Sequence, residues 1–412
     1  MRIFLWLALT FGWLSPLLLP AQVQLGNEVI VTNHFTGLRG KRVGLLTNPS
    51  GVNRRLESIL DVLRAAKEVK LVALFAAEHG IYGDILAGAE WKDFTDARTG
   101  LPVSSLYGPG PTRKPTPKML QGLDALVYDI QDTGCRSYTF ISTMGLAMEA
   151  CAEASVEFVV LDRPNPLGGL RVEGPRLEPK FRSLVGQWEI PYVYGLTCGE
   201  LARMINGEGW IKKRARLTVV PMQGWQRWMV WRDTGLPWVP TSPHVPHGDS
   251  PMFQVATGML GEIGGLSIGI GYTLPFQCLA APWLDAHKTA RQLNDSALPG
   301  VKFVPVTYRP FYGAYREQTI AGVQIHFTDP HRAPLTAINF YALEAVKKLA
   351  GRDLFAEAAK AGKSFNMFDK VNGTDATRKA LQAGKSAASI VKSWKADEEA
   401  FRQKRQKYLL YP

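Results

Sequence analysis

Leu71–Asp84 reads LVALFAAEHGIYGD. Its first half, Leu71 to Ala77, is an unbroken apolar run, the pattern of a strand buried on both faces in a parallel sheet. The run stops at Glu78-His79-Gly80. Ligands of open parallel sheets bind beyond the carboxyl ends of the strands, so an acid at this point faces a cleft. Three other apolar runs end alike: RVGLLT in Asn48-Pro49-Ser50-Gly51, ALVYDI in Gln131-Asp132-Thr133-Gly134, and EFVVL in Asp162-Arg163-Pro164-Asn165-Pro166. Four polar ends in succession read as one site assembled from four strands.

From Arg42 to Asp162, strands alternate with helical stretches near Arg55–Lys67, Pro117–Leu123 and Tyr138–Ala154. This alternation predicts an α/β fold, a Rossmann-like, doubly wound, mostly parallel sheet with right-handed crossovers. G-x-G-x-x-G and Walker loops are absent, so the layout brings no dinucleotide or nucleotide site with it. A helix near Thr197–Asn206 and a strand over Arg216–Met222 continue the sheet. The Gly- and Pro-rich connection from Ile81 to Lys118 is long for a compact domain and is expected to fold over the cleft. Gly224–Ser250, dense in Trp and Pro, reads as a crossing between domains. Beyond it the expected elements are a helix near Asp285–Leu293, the strands VKFVPVTY and GVQIHFT, and helices after Pro334 and Ser386, the last strapped across the molecule. The expected organisation is therefore 1–21 leader, 22–249 N-terminal domain, and 250–412 smaller α+β domain closing the cleft.

The leader MRIFLWLALTFGWLSPLLLPAQ has one Arg, an apolar core and a Leu-Pro-Ala step, which predicts a secretory signal peptide cut after Ala21. Pro16 and Pro20 and the lack of a following basic cluster argue against a retained anchor. No later stretch reaches the roughly 20 apolar residues a bilayer span needs. An exported protein, periplasmic or extracellular, with no stable membrane insertion is expected. The formal charge of +12 suggests polyanionic surroundings. Export argues against nucleic acid and for a carboxylated or phosphorylated wall; alternatively, the excess in AFRQKRQKY is only a solvated helix face. The four cysteines lack zinc spacing and read as buried free thiols.

Glu78 is the foremost candidate for chemistry, because a carboxyl sunk at the end of an apolar strand keeps its proton more readily and suits general acid work. Asp129 and Gln131 share a face, leaving Asp132 past the strand end as candidate second carboxylate. Arg136 or Arg163 would clamp an anion bidentately. His244-x-x-His247-x-Asp249 offers three metal ligands, but prolines keep them off one helix face, and no metal is expected. No G-x-S-x-G elbow appears, which argues against acyl transfer.

These residues also carry a resemblance. GLLTNPSGV, FAAEHGIYGD, TGLPVSSLYG, RKPTPKML, YDIQDTGCRSYTFISTM, VVLDRPNPLGG, WVPTSPHVP, AAPWLDA, FNMFDKVNGTDATR and FRQKRQKYLLYP resemble the NamZ family, the exo-β-N-acetylmuramidases of peptidoglycan turnover. The likeness implies a glycosidase with its cleft between two domains, removing terminal β-linked N-acetylmuramic acid from muramic-acid glycans. It implies Glu78 as catalytic acid and no cofactor. On this reading Arg136 or Arg163 holds the lactyl carboxylate, and Asn48, His79, Gln131, Tyr138, Asp162 and Glu262 complete the substrate site. One segment departs from the family pattern: after Glu262 come Ile268, Ile270 and Leu274 where charged side chains are usual, and His244 replaces an Asn. That predicts a cleft wall stripped of charge, an altered glycan preference, or a homologue that binds wall glycan without cleaving it.

Overall fold

The computed structural model describes residues 22–108 and 113–412; the expected leader lies outside them. Seven strands build the larger sheet: β1 (Arg42–Thr47), β2 (Lys70–Ala76), β3 (Phe94–Thr95), β4 (Pro102–Ser105), β5 (Ala125–Asp129), β6 (Glu157–Leu161) and β7 (Leu217–Val220). Their spatial order is β3-β4-β2-β1-β5-β6-β7, and only β3 runs antiparallel to its neighbour. The chain steps outward from β1 to β2 and β4, then returns to lay β5 on the other edge of β1. The crevice between the carboxyl ends of β1 and β5 is thus a topological switch point, where open α/β sheets bind ligands. The same order sets the four polar strand ends side by side, on β2, β1, β5 and β6.

Period-two alternation divides the core into two layers. Leu126, Tyr128, Phe158 and Val160 face the helices Phe140–Ala154 and Cys198–Gly207. Val43, Leu45, Val127 and Val159 face the helices Gly26–Thr32 and Ile59–Ala65. The second of these is shorter than its sequence suggests, because Leu56 takes a left-handed turn and the Ser58 hydroxyl caps the helix at Leu60. β2 departs from the expected burial: only Leu74–Ala76 are fully buried, since β4 pairs with that half alone and leaves Lys70–Ala73 partly open.

A second sheet, β8 (Cys278–Ala281), β9 (Val301–Tyr308) and β10 (Ile320–Phe327), is antiparallel in the order β8-β10-β9. The helices Ser250–Ile263 and Leu335–Ala350 pack together against it. The first was invisible as a propensity signal: Pro251, Thr257, Gly258 and Gly261 are poor interior helix formers. It forms because Met252, Val255, Ala256, Met259, Leu260 and Ile263 fall at three- and four-residue spacing and bury one stripe. The C-terminal helix Lys395–Arg405 does strap the molecule together. Arg405 donates to the carbonyls of Tyr194 and Gly195, Leu410 N–H to Glu200, and the Tyr411 hydroxyl to Asp162. Its charges are not a bare solvated face, because Lys404 and Lys407 both pair with Glu208. The four cysteines are buried free thiols, and no helix among the described residues is long and apolar enough to cross a membrane.

Candidate active site

β2 delivers Glu78 to the crevice through a sharp turn. His79 and Gly80 both take left-handed backbone conformations, φ +69° and +74°. Such a geometry suits Gly, whereas His79 tolerates it because its Nδ1–H donates to the Ile85 carbonyl at 2.8 Å and its ring meets Phe140 edge-on. A Cβ on Gly80 would stand 3.0 Å from Ile85, so this turn has no room for another side chain.

The Glu78 carboxyl is 8% exposed and held at both oxygens. Oε1 accepts the Gly88 N–H at 2.8 Å, and Oε2 accepts the Thr139 hydroxyl at 2.6 Å. Gly88 belongs to the long connection after β2, which folds over the site as expected, although it carries the short strands β3 and β4. The same connection brings Tyr107 close to the Glu78 charge. Burial, and then the neighbouring carboxyl, push the Tyr107 phenol up to about 12. The Arg113 guanidinium lies 4.2 Å from the Tyr107 ring centroid and bridges to Glu90.

Tyr138 stands next to Thr139. Its hydroxyl donates to Thr241 at 2.7 Å, which ties the helix start to the WVPTSPH segment. Three residues on, His244 Nε2 meets the Tyr312 hydroxyl at 2.7 Å, so the hairpin between β9 and β10 closes the crevice from the second sheet. Burial and the nearby His79 hold the His244 imidazole below its ordinary pKa. Asp249, the acid of the weighed metal trio, pairs with Arg232 instead.

Behind this wall lies a polar layer without solvent access. Asn48 accepts from Ser50 and donates to the Thr241 carbonyl. Gln131 donates to the carbonyls of Asp132 and Pro164. Asp132 accepts from Gly134 N–H and the Tyr194 hydroxyl on Oδ2, while its Oδ1 has no partner. Burial pushes this carboxyl up to about 6. Asn48, Gln131 and Asp132 are therefore turn and layer residues, most of whose polar atoms bond other protein groups, while Gln131 Oε1 and Asp132 Oδ1 have no partner.

Four candidates stand elsewhere than expected. Arg136 is wholly buried, with its guanidinium spent on the carbonyls of Pro175, Ile190 and Val371; an isolated arginine reaching a cleft carboxylate is excluded by that geometry. Arg163 pairs with buried Asp129 and donates to the Val52 carbonyl. Asp162 caps the helix at Gly199 and accepts from Thr197 and Tyr411. Glu262 sits half-buried on the second domain's helix, raised by burial, with Lys363 as its charged neighbour. Of the charge-stripped segment, Ile268 is buried in the second core, while Ile270 and Leu274 are only partly buried on that domain's clusters, and the intervening Gly271 carbonyl accepts the Phe311 N–H of the hairpin that carries Tyr312.

Gly88 and Thr139, which hold Glu78, and Tyr107, Arg113 and Thr241 around them are not among the residues that sequence reasoning singled out. Hydroxyl-bearing residues inside SSLYG, RSYTF and WVPTSPH were the available signal. Tyr312 had none, because a hairpin tip meets the first domain only after folding.

Residues 43–249 match the family described as Exo-beta-N-acetylmuramidase NamZ, N-terminal, and residues 254–411 match its C-terminal counterpart. The chain is 40% identical over 390 residues to the peptidoglycan beta-N-acetylmuramidase NamZ of Bacillus subtilis (strain 168), covering 95% of this chain and 92% of that protein. Crystal structures of two DUF1343 family proteins from Bacteroides fragilis NCTC 9343 share the fold. One superposes with a TM-score of 0.88 at 48% identity and the other with 0.74 at 29%, each covering 95% of this chain and 99% of its own.

Proposed function

The chain belongs to the NamZ family of exo-β-N-acetylmuramidases, and we propose that it hydrolyses terminal β-linked N-acetylmuramic acid from the non-reducing end of peptidoglycan fragments. The observation that carries this reading is the buried Glu78 carboxyl with a different donor on each oxygen. The Gly88 N–H can only donate, so it keeps Oε1 an acceptor and leaves the acid proton to Oε2. Oε2 faces the Thr139 hydroxyl, which donates to a carboxylate and accepts from a carboxylic acid. Glu78 thus has a partner in either protonation state. Its proton goes to the glycosidic oxygen as the bond to the anomeric carbon breaks, and a water molecule forms the new C–O bond at the positive charge that develops there, its proton restoring the Glu78 acid. Asp132 is the second carboxylate of this scheme and acts electrostatically from the buried layer, with Oδ1 unpaired and available to that charge. In our reading Arg113, which stacks on Tyr107 and bridges to Glu90, meets the lactyl carboxylate that distinguishes muramic acid from N-acetylglucosamine. The scheme uses protein groups without metal or organic cofactor. The binding-only alternative rests on Ile268, Ile270 and Leu274, and burial of Ile268 in the second core removes one of the three from it.

Chromogenic β-N-acetylmuraminide and β-N-acetylglucosaminide, assayed side by side, test the proposal. Release from the muraminide alone is expected, and equal or exclusive release from the glucosaminide would sink it. Arg113→Met should cost roughly tenfold or more on the muraminide, the value of a charge-assisted hydrogen bond, and spare any residual glucosaminide activity. Export is part of the proposal and is supported by the pattern of residues 1–21. N-terminal sequencing of the mature protein should begin at Gln22; a retained Met1 would count against it.

A further inference from the structure

A cavity of about 310 Å³ opens where the loop after β6 meets the helices Leu335–Ala350 and Lys395–Arg405, and none of its lining residues belongs to the Glu78 wall. Arg171, Arg227, Arg332, Lys395 and Arg402 line it with Glu173 and Glu398, and acids outside the lining take up part of this charge, since Arg227 pairs with Glu200 and Arg402 with Glu399. Both acids are already occupied. Glu173 holds Arg171 and the Thr336 N–H, and Glu398 holds the Gly174 N–H and Lys395. Arg332 is exposed and has no ion-pair partner among the described residues, while Lys395 remains largely in solvent. The charge presented outward is therefore that of Arg332, beside the Lys395–Glu398 pair.

The rim adds a second signal. Leu170 is 62% exposed and Trp228 is 46% exposed, with the Trp228 ring 6.3 Å from that of His331. An exposed aromatic beside an unpaired cation in a concavity fits a ligand that has both an apolar face and an anionic group. The adjoining cavity across Trp394 lacks this character, since Arg176 and Lys385 there are balanced by Glu178 and Asp397. A simple acidic peptide would use the cations but has no need of the tryptophan. A sugar ring bearing carboxylates uses both.

We propose that this cavity is a second, non-catalytic site for a carboxylate-bearing glycan, holding the protein on the wall polymer while the Glu78 site works at chain ends. Only the identity of the polymer rests on the muramidase reading. The site also gives the chain's formal charge of +12 a specific partner.

The test uses the full chain carrying Glu78→Gln, so that nothing is digested, and cosedimentation with insoluble peptidoglycan. Adding Trp228→Ala and Arg332→Glu should weaken sedimentation about tenfold, and moderate salt should do the same to the parent. In the active background the same pair should leave kcat/KM on the soluble chromogenic muraminide within about twofold. Both positions are exposed, so an unchanged melting temperature is expected. Sedimentation equal to the parent's would overturn the site, and so would poly-L-glutamate displacing the parent as well as soluble wall glycan does. If the parent cleaves no muraminide yet the double substitution abolishes sedimentation, the site stands and the muramidase reading falls.

Discussion

Glu78 is held so that each oxygen has its own duty, and the consequences are separable by substitution. Glu78→Gln keeps the shape and both contacts but has no proton to give. Turnover on an unactivated wall fragment should fall by about 10²–10⁴, with melting unchanged. The deficit should shrink for a nitrophenyl leaving group, which departs without protonation; an equal deficit on both substrates would argue against an acid role. Thr139→Val removes the partner of Oε2 without changing size, and a kcat loss of about tenfold with KM preserved is expected. Asp132 makes a pH-dependent prediction. Its carboxyl is raised from 3.8 to about 6 by burial, so the folded state disfavours its charge. The stability it allows is fully present below the unfolded value near 4 and is lost as pH rises through about 6, on the order of 3 kcal/mol. Asp132→Asn should flatten the melting temperature between pH 4 and 6 and raise it at pH 7, because the amide oxygen can still accept from Tyr194 and Gly134. A curve of unchanged slope would refute this.

At the scale of elements, the loop after β5 and the segments it meets are joined by Arg136. It has no acid partner, and burial holds its guanidinium down to about 10, but three carbonyls from three segments depend on it. Arg136→Met should therefore cost about 3 kcal/mol of stability by stranding those carbonyls. What activity survives should be reduced equally on muramic and glucosamine glycosides, read from melting curves and parallel kinetics. A selective loss on muramic substrates would restore Arg136 to the site. The C-terminal strap works by the same logic on β6. Tyr411→Phe leaves Asp162 Oδ2 with Thr197 alone, and a loss of about 1–3 kcal/mol is expected in urea unfolding.

At the scale of the whole molecule, the two sheets are bound by buried polar contacts as well as by apolar packing. Val371 accepts from Arg136, while residues 405–412 return to Tyr194, Glu200 and Asp162 in the first domain. A fragment ending at Asp249 would leave those groups buried and unsatisfied, or open them to water. Such a fragment should lack a cooperative thermal transition and a native near-UV spectrum. A sharp transition would mean that the strap is an accessory to a self-sufficient first domain.

How much of this was written in the sequence depends on the range of the interaction responsible. The sheet was legible because burial on both faces demands unbroken apolar runs, and a polar terminus on each run marks its carboxyl end. Glu78 was legible for the same reason, since it interrupts the longest such run. Arg136, Arg163 and Asp162 were misjudged because proximity to a strand end says where the backbone lies and not which partner the side chain finds. Those partners, Val371, Asp129 and Tyr411, come from elsewhere in the fold. Ile268 was not legible as a core residue, because a lost charge looks alike whether it faces water or a core. The sequence by itself determined the layers and the acid at the crevice, through local periodicity. Tertiary structure alone decided which polar groups remain free for a substrate, because a buried donor or acceptor is claimed by whichever partner the fold brings within about 3 Å, however distant along the chain.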